Sequence, residues 1–236
     1  MITVTDDVTG NTTDTFNNFV NNVINKYKGK SQSELINIFN IDSSAKNING
    51  IIVSRMFNVK GRLSDTEEFQ KANIIPRTIR IEESGKIKES LPFPTFKFTD
   101  ILKEEWNNCK LKEELETTKY MFFVFKKENN DYIFKGIKLW NMPQLDIDTY
   151  VKSMWINTYN IIKSGNIIKS IDNGIRKNNF PGISDNKVCH VRPHARDSKD
   201  TYPLPVNDIL TGVSEYTKQC FWLNNTYIED ILEEYR

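Results

Sequence analysis

The side chains best able to do chemistry lie between His190 and Pro205, HVRPHARDSKDTYPLP, and between Lys218 and Asn224, KQCFWLN. Arg192, Pro193, His194, Arg196, Lys199, Lys218 and Trp222 gather there around a proline-punctuated loop. In a strand that runs into a loop, Val191 can face a core while Arg192 projects outward, and Pro193 fixes the chain direction just beyond it. An arginine held in this way can pair bidentately with a guanine edge or a phosphate. Lys199 and Lys218 suit phosphate contacts, which position a duplex without reading it. A second reading makes the same segment a solvated loop whose cations pair with Asp197 and Asp200. Trp222 divides in the same way, between a core residue and a stacking platform. A zinc site built from Cys189, His190, His194 and Cys220 is disfavoured, because adjacent residues of a strand point to opposite faces and the spacing fits no standard finger.

A second basic run, ANIIPRTIRIE from Ala72 to Glu82, places Arg77, Thr78 and Arg80 on one strand, with Lys86 and Lys88 extending it. Such a strand could hold a phosphate backbone, or it could be an exposed sheet edge guarded by charge.

The elements that must position these residues change period along the chain. Phe16, Phe19, Val20, Val23, Ile24 and Tyr27 recur at helical spacing. Ser31 and Glu34 form a capping-box signature before Leu35, Ile36 and Phe39, and a third helix is expected from Ser44 through Met56. From Ala72 the period becomes two: Ala72–Glu82, FPTFKF, and a hairpin of YMFFVFKK and DYIFKGIKLW joined at Glu128 to Asn130. Pro76 demotes its strand toward an edge. Helices are expected again over Leu145–Ser164 and Ile167–Arg176, strands at Cys189–Pro193 and Phe221–Leu223, and a closing helix over Ile228–Tyr235. The class is α+β, with a mixed or antiparallel central sheet flanked by helices. Residues 1–12 read as a linker or loose end. Residues 13–236 read as one domain, helical over about 13–60 and sheet-containing over about 61–236.

The 236 residues carry 32 Lys plus Arg against 31 Asp plus Glu, so any DNA affinity must come from a local basic face. Acid in the C-terminal YIEDILEEYR and at Glu113, Glu114 and Glu116 balances it. Three cysteines at no framework spacing argue for a reducing compartment. The N-terminus has no signal-peptide pattern, and no segment is long and apolar enough for a membrane span. A soluble cytoplasmic protein is the expectation.

The strings HVRPHARDSKDTYPLP, KQCFWLNNTYI, TIRIEESGKIKESLPFPTFKF and FKGIKLWNMP together resemble the MutH-type endonuclease family. That family includes a mismatch-repair nicking enzyme and type II restriction endonucleases acting at GATC. The resemblance runs from about Ser44 to the C-terminus. It is strongest to the C-terminal half of the Sau-type enzymes, in which a MutH-like catalytic half precedes a second MutH-like half that binds another copy of the site. It implies a restriction-endonuclease-like core, magnesium-dependent phosphodiester hydrolysis by the full-length nuclease, and a bacterial source. Family nucleases carry an upstream acid followed by Glu-x-Lys on one strand, where the carboxylates hold Mg²⁺ and the lysine supports the attacking water. Here the matching positions are Ile75 and Arg77, the upstream acid falls near Glu68, and a helix position that often carries acid holds Ser54. Isoleucine cannot ligate a metal, and arginine does not trade protons. No Glu-x-Lys occurs anywhere in the chain. Asp185-Asn186-Lys187, Asp197-Ser198-Lys199 and Glu68-Phe69-Gln70 mimic parts of such a motif outside the expected strand.

The sequence therefore predicts a GATC-binding effector domain that has no catalytic residues or metal of its own and needs no cofactor. Its expected partners are double-stranded GATC DNA, an N-terminal MutH-like catalytic half, and a second copy on the DNA. Two other readings stay open: a self-sufficient Mg²⁺-dependent GATC endonuclease built around Glu68, and a protein-interaction domain on an old nuclease fold.

Overall fold

The computed structural model describes residues 12–236, with side chains from residue 16 onward. The proposed linker at residues 1–12 thus lies almost wholly outside the described residues. In chain order the elements are α1 (Thr12–Tyr27), α2 (Gln32–Phe39), α3 (Ile48–Met56), α4 (Glu67–Lys71), β1 (Ile74–Ile81), β2 (Leu91–Phe96), α5 (Phe98–Ile101) and α6 (Lys110–Thr117). There follow β3 (Lys119–Glu128), β4 (Asp131–Trp140), α7 (Gln144–Asp146), α8 (Lys152–Ser164), β5 (Ile168–Asp172), β6 (Ile175–Asn178), β7 (Cys189–Pro193), β8 (Thr201–Pro203), β9 (Glu215–Thr217), β10 (Gln219–Leu223) and α9 (Asn225–Ile231). The chain is α+β, with mixed and antiparallel sheets. Its contacts divide it into two units. One holds the chain up to Lys88 with Thr117–Asn141 and Leu232–Arg236; the other holds Glu89–Glu116 and Met142–Ile231.

In the first unit β3 is the central strand of the sheet β1-β3-β4, parallel to β1 and antiparallel to β4. The sequence of β3 is apolar without alternation, and Tyr120 to Phe125 are all buried, as a strand covered on both faces requires. Met121, Phe123 and Phe125 meet Val20, Ile24, Leu35, Ile52 and Val53 in one apolar core. Phe57 stands edge-on to Phe123, with ring centroids 6.0 Å apart, in the geometry that aromatic quadrupoles favour. The β3–β4 hairpin turns at Asn129 and Asn130, both with positive φ, as a two-residue hairpin loop demands. Ser31 caps α2 with the expected box: its hydroxyl accepts from Glu34 N–H, and the Glu34 carboxylate accepts from Ser31 N–H. Pro76 is tolerated because β1 is an edge of this sheet.

In the second unit β10 is central in an antiparallel sheet, β2-β10-β7. All five β10 residues are buried. The chain enters α8 through a single π turn at Ile147–Val151, so Leu145–Ser164 is helical in three segments. Gly165 closes α8 in the left-handed region at φ +67, where its N–H donates to Ile162 O and Asn166 N–H reaches back to Ile161 O.

Three expectations are corrected. Ile167–Arg176 is a hairpin, β5–β6, with Asn173 and Gly174 at its turn, both with positive φ. Asn-Gly selects that turn, and it outweighs the local helical spacing of isoleucines. The closing helix stops at Ile231, and a separate 3₁₀ turn spans Glu233–Tyr235. The third helix starts at Ile48 rather than Ser44.

Candidate nucleic-acid interface

The basic loop is built on the pairing of β7 with β10, which sets Arg192 opposite Cys220 and His190 opposite Trp222. Val191 is buried and Arg192 is exposed, as the strand alternation requires. The Arg192 guanidinium lies 3.9 Å from the centroid of the Trp222 ring, and the Trp222 indole N–H donates to the Arg192 carbonyl at 3.3 Å. Trp222 is buried, so it is no open stacking platform; it is the surface on which the arginine rests. A cation over an indole is stabilised by the ring quadrupole, and a guanidinium confined in this way loses less freedom when it meets a ligand. The His194 ring packs edge-on to Trp222 at 5.3 Å.

His190 is buried, with its ring near-parallel to Trp222. Asn224 Nδ2 donates to Asn186 O, which leaves Asn224 Oδ1 to accept the proton of His190 Nδ1 at 2.6 Å. Burial lowers the His190 pKa, the Asn224 hydrogen bond opposes this, and the nearby Arg192 charge adds to it. The imidazole is buried and structural.

The remaining cations are organised by Asp200. Its carboxylate takes Lys218 Nζ at 2.5 Å, Arg196 N–H at 3.1 Å and Arg196 Nε at 3.4 Å. Lys218 first, and the Arg196 N–H with it, hold the Asp200 carboxyl down at about 2. Lys218 also stands 4.7 Å from the centre of the Tyr202 ring. Among the described residues Asp197 pairs with no cation; its Oδ1 accepts from Lys199 N–H and Asp200 N–H and closes the turn. Lys199 is exposed at the tip. Four cations, Arg192, Arg196, Lys199 and Lys218, thus face two carboxylates, and Asp200 answers both Arg196 and Lys218. Pro193 is exposed at the end of β7, and His194 N–H donates to Lys218 O.

In the other unit, Arg77 and Thr78 line a cavity of about 330 Å³ together with Ser54 and Arg62. Ile75 and Glu68 are absent from that lining, so of the three positions matched to the family's catalytic set only Arg77 reaches it. Arg80 is exposed on a different part of β1, 6.0 Å from the Tyr132 ring centre. The Tyr132 hydroxyl donates to Glu82, which also pairs with Lys88. The second basic segment is therefore divided between a cavity wall and a sheet edge.

Among the described residues no three His, Cys, Asp or Glu side chains converge as a metal site needs. The residues at the cavity do not fit Mg²⁺, since none of its lining side chains is a carboxylate. Burial pushes the Cys220 thiol up to about 12 and the Cys189 thiol higher still, so both are held as buried thiols. The motif mimics have structural roles. Asp185 accepts from Gly182 N–H, Lys187 sits over Tyr150, and Asn186 binds Val188 and Cys189 N–H.

Of the two acids that the sequence offers as partners for the loop's cations, Asp200 takes that role and Asp197 closes a turn instead. Sequence reasoning missed Arg62, for which no local pattern gives a sign. Among the described residues no helix is long and apolar enough to cross a membrane.

No protein-family model matches this chain. It is 34% identical over 240 residues to the type II restriction enzyme Sau3AI of Staphylococcus aureus, an alignment covering 88% of this chain and 49% of that enzyme. The chain thus spans about half the length of the curated relative it matches. By that likeness along most of its length, the chain is related to the Sau3AI type II restriction enzyme.

Proposed function

We propose that this chain is the sequence-specific DNA-binding effector half of a type II restriction endonuclease. It binds a GATC duplex and does not cut by itself. In this reading the chain has a restriction-endonuclease-like core and works in a bacterial cytoplasm beside an N-terminal MutH-like catalytic half, whose Mg²⁺ serves the full-length nuclease. Binding at this half favours an active arrangement of the other, which makes the two sites allosterically coupled.

The observation that carries the reading is Arg192 laid on buried Trp222. A planar five-donor fork, fixed by its own β-sheet, is the group that reads a guanine edge in a major groove. His194, Arg196, Lys199 and Lys218 surround it as phosphate contacts, and Arg77, Thr78 and Arg80 supply a second basic surface. Replacement of the family's Glu-x-Lys by Ile75-Pro76-Arg77 supports the non-cutting part.

The test is a mobility shift of the purified chain on a GATC duplex and on a scrambled duplex, with and without Mg²⁺. Selective retention of GATC without cleavage is expected. Arg192→Ala should lower GATC affinity by about 1 to 3 kcal/mol, the worth of one bidentate base contact, while changing scrambled binding less. Cleavage by the lone chain would establish the self-sufficient nuclease instead. Failure to bind either duplex would leave the protein-interaction reading.

A further inference from the structure

We propose that the cavity between α3 and β1 is a phosphate-binding site that holds the anion directly, with no metal ion in between. Its lining comes from three pieces of the first unit. Asn47, Gly50, Val53 and Ser54 belong to α3 and its N-cap, Arg62 to Ser64 to the following turn, and Pro76 to Thr78 to β1. Residues 47, 50 and 54 fall on one helix face, so α3 presents an amide, a gap and a hydroxyl in line.

The donor set decides the ligand. Two guanidinium groups, Arg62 and Arg77, line the cavity with the hydroxyls of Ser54 and Thr78 and the amide of Asn47, and one N–H of the five-donor Arg77 fork donates to Pro76 O at 3.4 Å. Ser64 is left out of this set because its hydroxyl proton goes to Asp65 at 3.1 Å. A wall of donors without a carboxylate repels cations and accepts a tetrahedral oxyanion, and guanidinium forks match phosphate oxygens in pairs. Val53, Leu63 and Pro76 make the rest of the wall apolar, which strengthens each charge-assisted hydrogen bond. Buried Ser54 is well placed for this, because it opens on the cavity from the floor of the helix.

Asn47 is the independent sign. Asparagine at an N-cap ordinarily bonds its own helix, yet here its side chain makes no cap hydrogen bond. Instead the amide folds along the helix over Gly50, where an added Cβ would come within 2.5 Å of Asn47 Nδ2. Glycine at position 50 makes the room that lets this amide border the cavity. The volume, about 330 Å³, takes a phosphodiester with part of its flanking sugars.

The phosphate chemistry stands on these residues alone, and its assignment to a DNA backbone rests on the function proposed above. Inorganic phosphate titrated against the whole chain and followed by ³¹P line width tests the first. Broadening is expected with the native chain, lost in Arg62→Gln/Arg77→Gln, and reduced severalfold in Arg62→Gln alone, an exposed position whose change leaves the fold intact. No broadening by the native chain, or equal broadening by native and variant chains, overturns the proposal. Added GATC duplex should then displace the phosphate, and the slope of log affinity against log salt should fall by about 0.9 for each arginine removed. Broadening that survives the duplex supports the site with a small phosphate-bearing ligand in place of DNA. A lack of GATC preference by itself bears on the function and leaves the phosphate result standing.

Discussion

Arg192 differs from the other cations of its loop by its support: the tryptophan beneath it is buried, and the indole N–H holds its carbonyl. Lys218 and Arg196 are tied to Asp200, so their charge reaches a ligand already partly answered. The basic cluster itself was legible in the residues from His190 to Pro205. The inward turn of Trp222 was not, because it depends on which strand pairs with β7, and that partner lies about thirty residues on. His190 gives a pH prediction at this scale. Its folded pKa is lowered by burial, so near and below pH 6.5 the unfolded chain binds more protons than the folded one. The stability it contributes is complete above that pH and is lost as pH falls through the folded value, by at most about 1.4 kcal/mol per pH unit. Urea midpoints at pH 7.5 and 5.5 should therefore separate, and His190→Gln, which keeps a donor for Asn224, should narrow the gap. An unchanged gap in the variant would show that another group titrates.

Elements with local signals matched what their residues demand. The Ser31 capping box, the α1 spacing and the Asn129-Asn130 hairpin each need only a few neighbouring side chains. The parallel pairing of β1 with β3 is different, since a long crossover separates the strands and no residue in either names its partner. The β5–β6 error has a physical source: isoleucines at helical spacing compete with one Asn-Gly turn, and the turn wins because both its residues adopt positive φ at little cost. At the candidate site, Arg77 was visible as a basic residue on a strand, whereas its neighbour Arg62 entered only through the folding of α3 against β1. Gly165 offers the test for an element. Its positive φ penalises any side chain, and a Cβ there would stand 2.9 Å from Asn207 O, a backbone atom that cannot rotate away. Gly165→Ala should cost more than the roughly 1 kcal/mol expected from conformation alone. Chemical denaturation would measure it, and a neutral result would mean that the 206–209 loop moves without penalty.

At the scale of the whole molecule, 32 basic and 31 acidic side chains leave almost no net charge, so long-range attraction cannot hold a duplex. The affinity proposed above would have to come from local surfaces, the loop around Arg192 in one unit and the arginines of β1 in the other. This separates two ligands that a nuclease ordinarily takes together. A metal ion stabilises a fold only where it finds ligands, and among the described residues no group of acids, histidines or cysteines is gathered to supply them. A duplex stabilises whatever it binds by mass action, by about 2.7 kcal/mol at one hundred times its Kd. Millimolar Mg²⁺ alone should therefore leave the Tm of this chain unchanged, and saturating GATC duplex should raise it by several degrees without Mg²⁺. The rise should shrink with added salt, because each phosphate contact releases a counterion. A Tm increase with Mg²⁺ alone would reveal a cation site in the folded chain and would remove the basis for reading β1 as a metal-free grip.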